Sequence, residues 1–302
     1  MGKIVVIGSS NTDMVVRASK MPKGGETLIG GEFAVIQGGK GANQAVAAAR
    51  AGSDVTFVAK VGNDDFGRSA VEGYNIDKIN TEYVFVDSVY PTGVAIIIVD
   101  ESTGQNSIVV APGSNHQLSI LDIDSVKETI TQADAVLLQL ETPIDVVAYS
   151  LQLAKSAGVK TILNPAPAQK LSDELLQNVD IITPNETETE LITGVVLTDN
   201  QSIEQAAQLL MNKVGEAVVI TLGSKGVYYL LKSGESGYVS SIKVDAVDTT
   251  AAGDVFNGYF VSALTDNVDF VEALKNANKA AAISVTKKGA QPSIPTKQDL
   301  NN

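Results

Sequence analysis

Cysteine is absent from this chain, and histidine occurs once, at His116. The first absence excludes a disulfide framework and any thiolate nucleophile. The second excludes a zinc centre built on histidine and cysteine, because His116 has no partner ligand. It also narrows hydrolytic chemistry. A Ser/His/Asp arrangement would have to run through His116, and no nucleophile elbow is present. His116 is expected at the surface or in a hydrogen bond. Long apolar runs are missing too, and none approaches a membrane span. The opening Met1–Gly8 is too short for a signal peptide and lacks a cleavage pattern, so it reads as a buried first strand in a cytoplasmic protein with no membrane partner. Basic residues are few and scattered, 22 Lys and Arg against 35 Asp and Glu, for a net charge of −13. With no basic stripe, a nucleic-acid partner is not expected. Lys287–Lys288 is too short to form a charge run. Any bound polyphosphate needs local help from helix ends, metal ions or a few lysines.

What is present is an alternation. Short Val/Ile/Leu-rich runs at Lys3–Gly8, Val55–Val61, Ala135–Gln139, Thr161–Asn164, Ile181–Thr183 and Ala217–Leu222 read as strands. Helical patterns lie at Ala42–Ala51, Ser119–Gln132, Ile144–Ala157, Ile203–Val214, Val255–Leu264 and Val268–Thr286. Continuous apolar strands between helices predict an α/β fold, with a doubly wound, mostly parallel sheet covered on both faces. One domain is expected over residues 1–302. Two regions break the alternation. Met14–Ile36 has no helical period, and Thr92–Ala111 reads as a hairpin, Gly93–Val99 with Ser107–Val110, around a turn at 100–106. Together, at about 14–36 and 92–111, they predict a small β-sheet lid over the strand ends, where ligands of such folds bind.

Six polar segments punctuate this frame. Asp248-Thr249-Thr250-Ala251-Ala252-Gly253-Asp254 follows a β-rich run, Tyr238–Val247, and leads into an apolar helix. Small residues admit a ligand close to the backbone, and a helix start offers unpaired N–H groups to an anion. A carboxylate at such a place, Asp254, suits removal of a proton from a hydroxyl beside a phosphate. A plain capped helix, with Asp248 or Thr249 as cap, would not explain the three small residues. Gln37-Gly38-Gly39-Lys40-Gly41-Ala42-Asn43-Gln44 opens another helix. It is not a P-loop and not a dinucleotide fingerprint. Its open backbone, ammonium and amide suit a polyol or an anion, against a simple glycine-turned helix entry. Gly8–Asp13 places Asn11 and Asp13 after the first strand, suited to hydroxyl recognition or to an Asx turn. Asn185 and Glu188, one helical turn apart, could hold Mg²⁺ through water or simply complement a helix dipole. Thr221–Gly226 is a Gly-rich turn that fits phosphate oxygens or a hairpin into Val227–Leu231. Thr286–Ser293 is a connector whose carbonyls could take a cation.

These six segments, in this order and over nearly the whole chain, resemble the ribokinase-like family of carbohydrate and nucleoside kinases. The resemblance implies ATP-dependent phosphorylation of D-ribose at its 5-hydroxyl, with Asp254 as base and the N–H groups of Ala251, Ala252 and Gly253 as anion hole. It implies that Asn11, Asp13, Gly39, Lys40, Asn43 and Glu141 hold the sugar. Nucleotide positions would be Asn185, Thr221, Gly223, Ser224, Lys225, Gly226, Gly253 and Asn278. Asn185 and Glu188 would serve Mg²⁺. Asp248, Thr250, Ser284, Lys287, Gly289 and Ser293 would form a K⁺ site, largely through carbonyls. The lid would pair two subunits into a homodimer. Two departures stand out. Many members carry glycine where Ala251 stands, and Asn278 replaces the histidine that some members place by the adenine. The chain runs only a few residues past Pro295, which suggests a short final helix. The alternatives are a kinase for deoxyribose, fructose or a nucleoside such as adenosine, or a non-catalytic sugar sensor on a kinase fold. The polar set at Asn11, Asp13 and Glu141, without an aromatic cluster to stack a base, favours a small sugar.

Overall fold

A computed structural model describes residues 1–29, 31–103 and 106–300. Gly30, within the expected lid, Gly104 and Gln105, in the expected hairpin turn, and Asn301 and Asn302 lie outside the described residues. The strands run β1 Lys3–Ile7, β2 Asn11–Ala18, β3 Phe33–Gly38, β4 Asp54–Gly62, β5 Val84–Asp87, β6 Gly93–Asp100, β7 Asn106–Ala111, β8 Ala135–Leu138, β9 Lys160–Leu163, β10 Ile181–Ile182, β11 Ala217–Thr221, β12 Val227–Leu231 and β13 Ser236–Val239. The helices are α1 Lys40–Ala51, α2 Asp65–Ile76, α3 Ile120–Ser125, α4 Lys127–Thr131, α5 Ile144–Ser156, α6 Asp173–Leu176, α7 Glu186–Thr193, α8 Asn200–Met211, α9 Ala252–Thr265 and α10 Phe270–Ser284.

The main sheet has the order β13-β12-β11-β10-β9-β8-β1-β4-β5. It is parallel from β5 to β11, and β12 and β13 add antiparallel. Its central strands are buried on both faces, which is why they read as unbroken apolar runs. One core layer packs α1, α9 and α10 on one face, with Val6, Phe57 and Phe260 among its members. The other packs α3, α4, α5 and α8 on the opposite face around Ile7, Leu138 and Leu151. A second sheet, ordered β3-β2-β6-β7, stands apart. Its β2–β6 pair is parallel and its outer pairs are antiparallel.

Three expectations need adjustment. The helix read at Ser119–Gln132 is two short helices that break at Val126 (φ −105°, ψ 2°). The β-rich run Tyr238–Val247 pairs only as far as Val239; the rest leaves the sheet, and residues 241–246 line a cavity. No final helix forms after Pro295, where residues 297–300 make a turn closed by the Asp299 side chain on Thr296.

One side chain ties three segments together. Arg50, in the last turn of α1, meets the Asp77 carboxylate after α2 through Nε and Nη2 (2.8 and 3.0 Å). Its Nη1 donates to the carbonyls of Gln291 and Ile294 (2.8 and 2.9 Å).

Candidate active site

The α1 and α9 helices approach unusually closely because both present small residues. A Cβ on Gly258 would lie 2.5 Å from Ala47 Cβ and 2.7 Å from the Gln44 carbonyl oxygen. One turn before Gly258, that approach lays Asp254 against the first turn of α1. Asn43 Nδ2 donates to Asp254 Oδ2 and Gln44 Nε2 donates to Oδ1, each at 2.9 Å. Asp254 is buried, and burial pushes its pKa up to about 6. The Lys40 ammonium and the two amide hydrogen bonds pull it down, and Glu141 adds to the rise.

Around this carboxylate the strand ends bring the expected sugar residues together. Glu141 follows β8. Its Oε2 accepts from Ser9 Oγ (2.5 Å) and the Lys40 backbone N–H (3.1 Å), and Lys40 Nζ lies 3.4 Å from Oε1. Burial works against the Lys40 ammonium, but Glu141, Asp254 and Glu188 outweigh it and hold its pKa above the ordinary lysine value. Gly39 turns the chain with φ +92°, and a Cβ there would sit 2.7 Å from the Asn11 N. Asn11 and Asp13 lie at the start of β2, opposite Gly38 and Ile36 of β3. The Asp13 carboxyl occupies room left by Gly38, whose absent Cβ would be 2.3 Å from Oδ2. No protein donor meets this carboxylate among the described residues. Burial first, then Glu141 and Asp254, pushes it up to about 7, against the pull of Lys40. Asn43 Oδ1 is buried and unpaired.

Beside this group, a cavity of about 660 Å³ is lined by Thr221, Gly223, Ser224, Gly226, residues 241–246, Ala252, Gly253, Phe256 and Asn278. Asn278 is buried and donates to the Val239 carbonyl (3.1 Å). Lys225 and Asn185 do not line it. Asn185 bridges to Thr221 through the backbone instead. Helix α9 forms the wall between the two spaces. It starts at Ala251, which has φ +62°, and no side chain caps it. Neither Asp248 nor Thr249 acts as cap, so the capped-helix reading fails. Ala252 N–H makes a long bond to the Thr249 carbonyl (3.3 Å). A Cβ on Gly253 would meet no atom within 4 Å, so a ligand can approach its backbone.

The candidate metal residues divide. Asn185 and Glu188 form a reciprocal capping box at α7, with Glu188 accepting from Asn185 N and Nδ2 (2.8 and 3.0 Å). The helix-start reading is therefore correct for both. Burial nevertheless pushes Glu188 up to about 7, against the Asn185 bond and Lys40 and with help from Asp254. A nearby hydrated divalent cation would favour its charged form, so the residue fits that role. Asp248 accepts from Thr250 N, Thr250 Oγ1 and Gly289 N (3.0, 2.6 and 2.9 Å). Despite burial, these bonds hold it below the usual carboxylate range. Asp248, Thr250 and Gly289 line one cavity of about 380 Å³ under the second sheet. The Ser284 and Ser293 hydroxyls donate to the carbonyls of Ala281 and Ala290, and the Lys287 side chain is exposed. An ionised carboxylate amid loop carbonyls fits a monovalent cation. No group of three or more His, Cys, Asp or Glu poised to hold a metal occurs among the described residues. His116 is exposed, as expected.

Two site residues escaped notice. Asn115 holds Ser10 N, Ser10 O and Asn11 Oδ1 (2.8, 3.1 and 2.7 Å), and so fixes the Asn11 amide. Gln44 lies in the quoted Gly-rich motif, but nothing in its spacing signals its bond to Asp254.

Comparison with known proteins finds relatives along nearly the whole chain. The model of the "pfkB family carbohydrate kinase" matches residues 1–297. The chain is 49% identical over 296 residues to a ribokinase of Haemophilus influenzae, covering 98% of this chain and 96% of that one. It is 38% identical over 299 residues to a deoxyribokinase of Salmonella typhi, covering 99% and 97%. Among solved structures, that of Arabidopsis thaliana ribokinase complexed with ribose and ATP superposes with a TM-score of 0.91 at 34% identity, covering 99% of this chain and 97% of the other.

Proposed function

Because the chain belongs to the pfkB family of carbohydrate kinases, we propose that this ATP-dependent kinase transfers the γ-phosphoryl group of ATP to the 5-hydroxyl of D-ribose. The observation that carries the reading is the convergence of Asp13, Glu141 and Asp254 with Asn11 and the unpaired Asn43 Oδ1, a set of acceptors and amides matched to a ring of hydroxyls. No aromatic ring lines the cavity beside Asp13 and under the second sheet.

Phosphoryl transfer asks a protein for positioning and for fixed dipoles more than for covalent chemistry. Asp13, Asn11, Asn43, Lys40 and Glu141 hold the sugar so that its 5-hydroxyl faces Asp254. Asp254 accepts the hydroxyl proton as the oxygen attacks, a step worth roughly 10²–10⁴-fold. The uncapped first turn of α9, at Ala251, Ala252 and Gly253, receives the transferring group's charge. The cavity lined by Thr221, Gly223, Ser224, Gly226 and Asn278 takes the nucleotide, with Lys225 and Asn185 at its margin. Mg²⁺ would neutralise phosphate charge, with Asn185 and Glu188 nearest to hold it through water. K⁺ would lie among Asp248, Thr250 and the backbone of Ser284, Lys287, Gly289 and Ser293, and would support the loop that carries the anion hole.

The second sheet acts as a lid on the sugar side. Its exposed Phe33, Val35, Ile96 and Val109 share one face and form an apolar surface suited to a second copy of the chain, so a homodimer is part of this reading. Among the described residues no helix is long and apolar enough to cross a membrane, and the proposed setting is the cytoplasm.

The deoxyribokinase relative supports a second reading, in which deoxyribose is the better substrate. A coupled assay across D-ribose, deoxyribose, fructose and adenosine, with and without K⁺, decides. The proposal expects the highest kcat/KM for ribose and activation by K⁺. Higher kcat/KM for deoxyribose, or no turnover of any sugar, overturns it.

A further inference from the structure

Asp254 does not stand alone on its side of the cleft. Behind it runs a chain of buried amides. Gln139 Nε2, at the end of β8, donates to Gln44 Oε1 (2.7 Å). Gln44 Nε2 divides its two hydrogens between Asp254 Oδ1 (2.9 Å) and Asn164 Oδ1 (3.0 Å). Asn164 Nδ2 then donates to the Thr183 carbonyl (3.0 Å). Gln44 and Gln139 are wholly buried, and Asn164 is 7% exposed. The room for Gln139 comes from Gly8, where a Cβ would lie 2.1 Å from Gln139 Oε1.

The direction of every bond in this chain is determined. Asn164 donates to the Thr183 carbonyl and so turns its oxygen toward Gln44; facing that oxygen and Asp254, Gln44 must present its NH₂ to both and its oxygen to Gln139. Flipped, the Gln44 oxygen would face the Asp254 carboxylate and the Asn164 oxygen together, two acceptors against a third. With one amide donor on each of its oxygens, the arrangement favours an ionised Asp254.

We infer that Gln44 is a positioning residue for phosphoryl transfer: its amide, locked by Gln139 and Asn164, aims the Asp254 carboxylate and keeps it charged in a buried site. The inference rests on the reading of Asp254 as base. The other charged groups that act on Asp254 are Lys40 at the head of α1, Glu141 after β8, Asp13 on β2 and Glu188 on α7. Three of these four are carboxylates and oppose its ionisation. Lys40 and the amides of Asn43 and Gln44 are what favour it. Asn43 also faces the sugar, whereas Gln44 is sealed behind the base and contributes nothing to ligand contact.

The test is the pH dependence of kcat for Gln44→Met and Gln44→Glu, with sugar binding followed by calorimetry and folding by thermal melts. A hydrogen bond to a charged group changes an ionisation constant by a factor of roughly ten to a hundred. Gln44→Met is expected to move the acid limb up by about one pH unit, to lower turnover at neutral pH, and to leave sugar affinity near wild type. Gln44→Glu, the same shape with a second carboxyl against Asp254, is expected to move the limb further in the same direction. An unmoved limb in a folded Gln44→Met protein overturns the inference. So does an equal loss at every pH, which marks a merely structural residue. Gln139→Met leaves Gln44 in place but releases its oxygen. It is expected to give a smaller shift of the same sign and serves if Gln44→Met does not fold. A wild-type profile for Gln139→Met then counts against the relay. Asp254→Asn separates the two claims. Full turnover in that variant removes the base assignment itself, whereas an inactive Asp254→Asn beside a wild-type Gln44→Met profile removes only the role of Gln44.

Discussion

Asp13→Asn should make the ligand-free protein more stable while destroying its usefulness. The Asp13 carboxyl is 9% exposed and meets no donor among the described residues. Its pKa rises from 3.8 to about 7, chiefly through burial. At about 1.4 kcal/mol per unit, holding it ionised above pH 7 costs the folded state roughly 4 kcal/mol. An asparagine removes the charge but still buries an amide, at about 1–2 kcal/mol. About 2 kcal/mol of net gain remains. A chain of this length loses roughly 0.6 kcal/mol per degree near its midpoint, so Tm should rise by about 3 °C at pH 8. The sign reverses the usual aspartate case. A carboxyl whose folded pKa lies above its unfolded value penalises folding above the folded pKa, and the penalty disappears as pH falls from 7 toward 4. The gain from Asp13→Asn should therefore vanish near pH 5, where the wild-type group is already protonated. Calorimetric melts at both pH values, with and without D-ribose, check this, and ribose should stabilise only the wild type. A variant less stable than wild type by the same amount at both pH values would refute the reasoning.

Three further outcomes follow from the site. Asp254→Asn should bind ribose by calorimetry and lose roughly 10²–10⁴-fold in turnover. Ala251→Gly should be neutral to stabilising by up to about 1 kcal/mol in thermal melts with activity retained, since Ala251 holds φ +62° and needs only its N–H. Gly258→Val should wedge α1 from α9, with a stability loss of about 1–3 kcal/mol and a larger relative loss of kcat, because the added carbons collide with Ala47 and the Gln44 backbone.

Much of this architecture was legible in the order of residues. The strands β1, β4, β8, β9, β10 and β11 announced themselves because burial on both faces demands unbroken Val, Ile and Leu. The second sheet was legible as a break in alternation. Helix α2 was not. Its buried residues are only Gly67, Ala70 and Tyr74, too few to stand out as an apolar run in the sequence. Strand β5 is four residues at a sheet edge. Residues 240–247 carry strand-like Ile and Val, but among the described residues no strand pairs with them, and pairing is decided by distant chain. The residues proposed for the sugar were named through the likeness to kinases, and the structure brings them together. Asn115 and Gln44 were invisible for a physical reason: their partners lie 104 and 210 positions away, where no local spacing can register them. Asn185 and Glu188 carried a readable capping pattern, which in sequence was weighed as a Mg²⁺ pair or as dipole complementation.

The Arg50 clamp makes residues 291–294 a keystone for the far end of α1. The helix that begins at Lys40 ends at Arg50, and that guanidinium holds the backbone at Gln291 and Ile294. Loosening this stretch should thus be felt at the opposite end of the same rod, at the proposed sugar site. Fusions or tags appended there belong on a spacer long enough to leave this arch unloaded.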